Sequence, residues 1–216
     1  MMADTRLFGY QRRRQSPVES SVKRIGDAIV ASLLLTVLAP VLLTLAALVR
    51  LTSAGPALFV QRRVGLSGRE FDLYKFRTMH VRAEEGQAAL APFNDREPPI
   101  FKMREDPRVT RLGRWLRRWS LDELPQLVNV LKGDMSLVGP RPPTPLEVAR
   151  YERWQWRRLC VRPGLTGLWQ VSGRSDLTFT ESMRLDLAYV DRWSLRLDLE
   201  IAWRTIGAVL RRRGSY

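Results

Sequence analysis

The sequence predicts an α/β fold, mostly α. It consists of an N-terminal re-entrant membrane helix–break–helix and a small cytoplasmic domain with amphipathic interfacial helices. Three observations lead there. Residues 28–49 are 22 consecutive residues without a charge, interrupted by Pro40. Beyond them, short strand-like runs alternate with segments of helical period. The basic residues outnumber the acidic ones 36 to 22, a net charge of +14. The expected division is a disordered basic tail (1–22), a re-entrant membrane anchor (23–50) and a globular domain (51–216).

Composition narrows the chemistry. The single Cys160 excludes an intrachain disulfide and a multi-cysteine zinc site, and the single His80 leaves little room for Ser-His-Asp or Cys-His catalysis. Only four of the basic residues are lysine (23, 75, 102, 132) and the rest are arginine. Guanidinium binds phosphate bidentately and stays charged near an interface. Arginine-rich codon usage accounts for part of that bias, but the sign of the charge still points to polyanions: nucleic acid, a lipid surface or a phosphorylated substrate.

Residues 1–22 are polar and carry Arg12, Arg13 and Arg14, which reads as a tail without packed structure. The uncharged run that follows would make a helix of about 33 Å, enough to cross a bilayer. It exceeds the apolar core of a signal peptide, and no A-x-A cleavage pattern follows it. Pro40 removes a helical hydrogen bond and leaves two pieces of about 18 and 14 Å, each near half a bilayer. Residues 1–27 have six basic and three acidic residues, and Arg50, Arg62 and Arg63 come soon after the run. Both ends thus carry an inside signal, which a hairpin entering and leaving one leaflet satisfies. An ordinary kinked span remains the competing topology.

In the globular part, residues 58–60 and 71–76 read as strands joined by a glycine-punctuated turn, and residues 82–99 as a polar loop. Asp106-Pro107 signals a helix start. From there Val109, Leu112, Leu116 and Trp115 or Trp119 line one face, and Arg108, Arg111, Arg114, Arg117 and Arg118 the rest. Such a helix suits the lipid interface, and a nucleic-acid-binding helix has the same residue types. Helical propensity resumes over residues 121–131, 145–159 and 195–210, the last closed by Arg211-Arg212-Arg213. Tryptophans 154, 156, 169, 193 and 203 fit either headgroup depth or the core.

The run Ser120-Leu121-Asp122-Glu123-Leu124-Pro125-Gln126 is the most informative for chemistry. On a helix start, adjacent carboxylates point in different directions, so one can face substrate and the other a hard metal such as Mg2+. An aspartate can also be a covalent nucleophile toward phosphorus. Ordinary helix capping uses the same residues. Downstream, Arg141 lies between Pro140 and Pro142, a rigid setting for a phosphate-clamping guanidinium, and residues 162–174 form a second glycine-containing loop ending in Arg174. Plain turns are the alternative for both.

Six motifs in order carry a resemblance over residues 23–216. They are Lys23-Arg24-x-x-Asp27, Tyr74-Lys75-Phe76-Arg77-Thr78-Met79, residues 120–126, Ser136-Leu137-Val138-Gly139-Pro140-Arg141-Pro142, Pro163-Gly164-Leu165-Thr166-Gly167, and Trp193-Ser194-Leu195-x-Leu197-Asp198-Leu199. The chain resembles the bacterial sugar transferases, monotopic polyprenyl-phosphate phosphoglycosyl transferases. The resemblance implies a re-entrant helix and a cytoplasmic catalytic domain on the bacterial inner membrane. It also implies transfer of a sugar-1-phosphate from a UDP-sugar to polyprenyl (undecaprenyl) phosphate, releasing UMP in the first membrane step of exopolysaccharide synthesis. Asp122 matches the family nucleophile and Glu123 its dyad partner, which helps to place Mg2+ or to manage a proton, the pair being the implied Mg2+ ligands. Lys75, Arg77, Arg117, Arg141, Arg174 and Asp198 match positions associated with phosphate, nucleotide or metal. Where the family often has Ser-Pro at the break, this chain has Ala39-Pro40.

The partners implied are a UDP-sugar, a polyprenyl phosphate and membrane lipids, without nucleic acid and with a homodimer left open. Residues 168–176 resemble the hexose-1-phosphate transferases and favour glucose or galactose. A membrane-tethered nucleic-acid-binding protein and a membrane scaffold are the competing readings, and neither needs Asp122-Glu123 beside paired arginines.

Overall fold

The computed structural model describes residues 16–83, 85–86, 89–95, 103, 105–173 and 177–211. It is an α/β structure with far more helix than strand. Helix α1 (Pro17–Thr52) starts with a capping box: Glu19 N–H donates to Ser16 Oγ at 3.1 Å, and the Glu19 carboxylate accepts from Ser16 N–H at 2.9 Å. With Pro17 at the first position, this cap begins the helix inside the expected tail, so residues 17–22 are helical rather than unstructured. Residues 1–15 lie outside the described residues.

Pro40 does not end α1, which continues as one 36-residue helix through it. The proline removes one donor, while Thr36 and Thr44 donate their hydroxyls back to Ser32 O and Pro40 O, bonds that bend helices without breaking them. One stripe of α1 faces the remainder of the protein along its length. It runs Asp27, Ala31, Leu35, Leu42, Leu45 and Val49, at helical spacing. The opposite face, with Leu33, Val37 and Leu43, is exposed.

Strands β1 (Leu58–Val64) and β2 (Glu70–Phe76) pair antiparallel, from Leu58 opposite Phe76 to Val64 opposite Glu70. Asp106-Pro107 does not open a helix. Asp106 instead accepts from the Arg108 guanidinium and amide, and Val109 bridges Met79 in extended conformation. Helix α2 (Arg111–Arg118) starts four residues later, because Thr110 is the residue whose hydroxyl reaches the Gly113 amide, at 2.9 Å. A Cβ at Gly113 would collide with Thr78 O, so glycine lets α2 lie against the chain leaving β2.

Next come α3 (Gln126–Lys132), β3 (Ser136–Val138) and α4 (Pro145–Val148). After them follow β4 (Gly164–Thr166), α5 (Leu168–Ser172), α6 (Phe179–Arg192) and α7 (Leu195–Arg211). β3 and β4 pair in parallel, Ser136 opposite Gly164 and Val138 opposite Thr166. The two glycine loops are therefore packed on each other: Gly139 N–H donates to Thr166 O at 2.9 Å and Gly164 N–H to Pro140 O at 2.8 Å.

Three of the four apolar clusters among the described residues hold most of these parts together, the fourth being Val64, Val148 and Leu159. Ala31 of α1 joins Phe71, Leu73, Leu127, Val130 and Met135. Leu45 and Val49 of α1 join Phe76 and Leu116. Val138, Val161, Tyr189, Val190, Trp193 and Ile201 form the third, under α6 and α7. Burying each large apolar side chain contributes about 1.5–3 kcal/mol, so α1 is a structural part of this core. Trp193 belongs to the core, whereas Trp203 is exposed.

Candidate active site

The chain leaves α2 through Ser120, whose φ of 56° is left-handed. A serine enters that region at a cost of about 1–3 kcal/mol, and such strain collects at functional positions. The turn swings the next residues, a 3-10 turn over Leu121–Glu123, back under β2. Leu121 packs into the Leu45–Leu116 cluster, which fixes the two carboxylates that follow it.

α3 is tied to β2 by Asn129, fully buried: its Nδ2 donates to Asp72 O at 2.7 Å and its Oδ1 accepts from Tyr74 N–H at 3.1 Å. The side chain thus bonds the strand as a neighbouring strand would, and it brings the next strand residue, Lys75, to the dyad. Lys75 Nζ donates to Glu123 Oε1 at 2.8 Å. Arg117, one turn before Ser120, donates its Nε to Thr78 Oγ1 at 2.9 Å.

Asp122 is buried among these charges. Burial first, and the Glu123 carboxylate second, push its pKa up to about 6, against the pull of Lys75 and Arg117. Burial lowers the Arg117 pKa, and Asp122 is the first of the carboxylates that oppose it. A deprotonated Asp122 is therefore a desolvated anion between two cations, a reactive oxygen whose charge is tolerated without being quenched.

A second charged group borders Glu123. Arg63, at the end of β1, donates Nη1 to Pro142 O at 2.9 Å and its other nitrogens to Gln61 Oε1. Burial and the neighbouring Arg141 pull its pKa down to about 9, with Glu147 and Glu123 holding it up. Arg141 pairs with Glu147 at 3.2 Å, and buried Arg158 pairs with Asp186 at 2.7 Å. Burial lifts Asp186 to about 6 although Arg158 and Arg141 oppose it. The sequence reading missed Arg63, Glu147, Arg158 and Asp186. Continuing the β1 alternation through residues 61–64 exposes the signal for Arg63, and the Thr144-x-x-Glu147 capping box that for Glu147.

The structure thus brings Lys75, Arg117, Asp122 and Glu123 together, with Arg141 on the flanking cluster. Arg77 follows Lys75 by two residues and turns to the end of α1, bonding Ser53. Asp198 is placed elsewhere: it accepts from Lys23 Nζ at 2.5 Å, Tyr189 OH at 2.8 Å and Trp193 Nε1 at 3.2 Å, the knot that ties α7 to the start of α1. Burial raises its pKa against the pull of Lys23. Arg174 lies outside the described residues. No group of three or more acidic, histidine or cysteine side chains is assembled among the described residues. Two adjacent carboxylates, one of which raises the proton affinity of the other, are still a fitting donor set for Mg2+, which takes one or two carboxylates and completes its shell with water and substrate phosphates.

Residues 18–212 match the family described as bacterial sugar transferase. The exopolysaccharide production protein ExoY of Rhizobium meliloti is 42% identical over 207 residues, 93% of this chain and 90% of that protein. The UDP-glucose:undecaprenyl-phosphate glucose-1-phosphate transferase of Caulobacter vibrioides is 44% identical over 90% of this chain and 72% of its own length. The undecaprenyl-phosphate galactose phosphotransferase of Salmonella typhimurium is 43% identical over 90% of this chain, which spans 42% of that longer protein. Since that match takes in α1, the dyad and α7 alike, the chain belongs to the bacterial sugar transferase family and is an enzyme.

Proposed function

We propose that this enzyme transfers a hexose-1-phosphate, glucose or galactose being the favoured sugars, from a UDP-sugar to undecaprenyl phosphate by way of a covalent Asp122 intermediate. The observation that carries it is the division of the dyad: Glu123 takes the direct ion pair with Lys75, while Asp122 stays a buried carboxylate between Lys75 and Arg117. In the first half-reaction an Asp122 oxygen attacks the β-phosphorus, the bond from that phosphorus to the bridging oxygen breaks, and UMP leaves with the electron pair. The negative charge is conserved, so no proton has to move. Arg117 and Lys75 offset the charge building on the phosphoryl oxygens, and Arg63 and Arg141 offer guanidinium for the nucleotide diphosphate. Mg2+ held by Asp122 and Glu123 would supply further charge neutralisation at the phosphates.

The same stripe of α1 supports a helix that dips into one leaflet of the cytoplasmic membrane, with the catalytic domain in the cytoplasm. Both ends are tied to one domain, through Lys23–Asp198 and Arg24–Val130 at one end and Ser53–Arg77 at the other. A helix crossing to the far side would have to leave that domain. Relatives named as undecaprenyl-phosphate glucose or galactose transferases support the overall transfer.

The test is purified enzyme with UDP-sugar and Mg2+ in detergent, without lipid. It is expected to release up to one equivalent of UMP and to gain the mass of a sugar phosphate at Asp122. UMP release only when lipid is present, with no adduct, would replace the covalent route by direct attack of lipid phosphate on the UDP-sugar.

A further inference from the structure

Arg77 is an unusual arginine for this chain. Its backbone N–H extends the β1–β2 ladder to Ala57 O at 2.9 Å, and the residue is only 8% exposed. Nη2 donates to Ser53 O and Ser53 Oγ, both at 2.8 Å. Nε and Nη1 are buried with no hydrogen-bond partner, and among the described residues no carboxylate pairs with it. Arg63 and Arg108, by contrast, engage all three of their side-chain nitrogens. A guanidinium is permanently charged and has five N–H donors, so unspent ones in a dry setting call for an acceptor.

Its location says which acceptor. Two residues earlier Lys75 holds Glu123, and one residue later Thr78 holds Arg117, so Arg77 is interleaved with the contacts of the dyad. On its other side lies the end of α1, where Leu48 and Leu51 are exposed. The group covering it is the short link between α1 and β1. Gly55, at φ 106°, lies so close that a Cβ there would fall on Nη1, and Val81 lies over the same spot. Displacing Ser53 and Gly55 would open the Nη1–Nη2 edge, the fork that fits a phosphate bidentately. A nucleotide has the Arg63–Arg141 cluster on the Glu123 side. A phosphate on an apolar chain arrives along α1.

We propose that Arg77 is the receptor for the phosphate monoester of the lipid acceptor, and that residues 53–56 are the cover it displaces. The proposal rests on the two-step reaction above. In the second half-reaction an oxygen of the lipid phosphate attacks the phosphorus of the Asp122 adduct. The phosphorus–Asp122 bond breaks, its electron pair returns to the carboxylate, and lipid diphosphate-sugar forms with charge conserved. Arg77 holds the incoming dianion at the end of α1 and takes no part in the first half-reaction.

The test compares wild type with Arg77→Met, Arg77→Lys and Ser53→Ala in nanodiscs. Arg77→Met is expected to form the Asp122 adduct and release UMP as wild type does, while its KM for a short isoprenyl phosphate rises roughly tenfold or more. Arg77→Lys recovers part of that loss, and Ser53→Ala, with a looser cover, lowers the acceptor KM. Equal loss in both half-reactions would make Arg77 a structural cap of α1 and overturn the proposal, as would an unchanged acceptor KM in Arg77→Met. A separate binding arm follows tryptophan fluorescence without UDP-sugar, so that it stands even if wild type forms no adduct. Isoprenyl phosphate is expected to bind wild type and to lose affinity in Arg77→Met. Equal response to isoprenol or to phosphatidylglycerol alone, or full competition by inorganic phosphate, would overturn the lipid-phosphate assignment.

Discussion

Lys75 Nζ lies 2.8 Å from Glu123 Oε1, and this ion pair sets two adjacent carboxylates apart. Glu123 is neutralised in place. Asp122 feels Lys75 and Arg117 only through space and keeps a pKa of about 6, low enough to be ionised at neutral pH and high enough to mark a poorly solvated oxygen.

Lys75→Met is accordingly expected to slow the lipid-independent release of UMP by roughly tenfold to a hundredfold. It also removes a charge that holds the Asp122 pKa down, so the rise of that rate with pH should move to higher pH. Rapid-quench measurement of UMP across pH 5–9 reads both effects. A wild-type midpoint and rate in the variant would contradict the role given to Lys75.

Asp122→Asn should abolish adduct and turnover, yet stabilise the fold. The folded pKa is raised above the unfolded value, so the unfolded chain loses its proton first as pH climbs, and the ionised carboxylate costs native stability above about pH 6. In chelator at pH 7.5 the variant should therefore melt higher than wild type, by an amount worth about 1–3 kcal/mol. The gap should close below about pH 4, where wild-type Asp122 is protonated in both states. Calorimetry at the two pH values checks the sign.

Asp198→Ala should fail by a different route. It removes the nearer of the two carboxylates at the Lys23 ammonium and leaves Asp27 at 3.6 Å, in a site where these side chains are largely buried, a loss of about 1–3 kcal/mol. The expected result is a lower melting temperature with an unchanged KM for UDP-sugar in the enzyme that remains folded. A normal melt with a raised KM would return Asp198 to the phosphate- or metal-binding role its motif suggests.

Gly164→Ala should destabilise the enzyme more than its size implies. A Cβ there would run into the Gly139 backbone, where the two loops approach too closely for any side chain. Overpacking typically costs about 1–3 kcal/mol, and backbone neighbours leave no soft side chain to yield. Denaturant unfolding of the variant measures it.

For topology, cysteines placed at Ser21 and at exposed Leu51, in a Cys160→Ser background, should both react with membrane-impermeant reagents from the cytoplasmic side alone. Labelling of either from outside would replace the dipping helix by a span.

Much of this architecture was legible in the chain because it follows from local rules. The β1–β2 hairpin, the apolar run and α7 are period and punctuation, and the dyad motif names its own residues. What escaped depended on choices between neighbouring signals. Thr110 captured the start of α2 from Asp106-Pro107 because Asp106 was already engaged by Arg108. α6 was overlooked although Thr178 and Glu181 form a capping box at its start. The parallel pairing of β3 with β4 is set by contacts 28 residues apart, and the glycines that permit it look in sequence like any turn. Asp198 shared a motif with a substrate-binding expectation, but only the fold shows Lys23 arriving from 175 residues away.

The stripe from Asp27 to Val49 changes what it means to call α1 an anchor. Removing it to obtain a soluble enzyme would uncover Phe71, Leu73, Phe76 and Leu116, leave Asp198 without its cation, and strip Arg77 of Ser53. The domain that holds the dyad and the apolar helix share one core, so α1 is not a tether that can be cut from a finished enzyme. With α1 in a bilayer as proposed, lipid attachment and active geometry stand or fall in the same folding event.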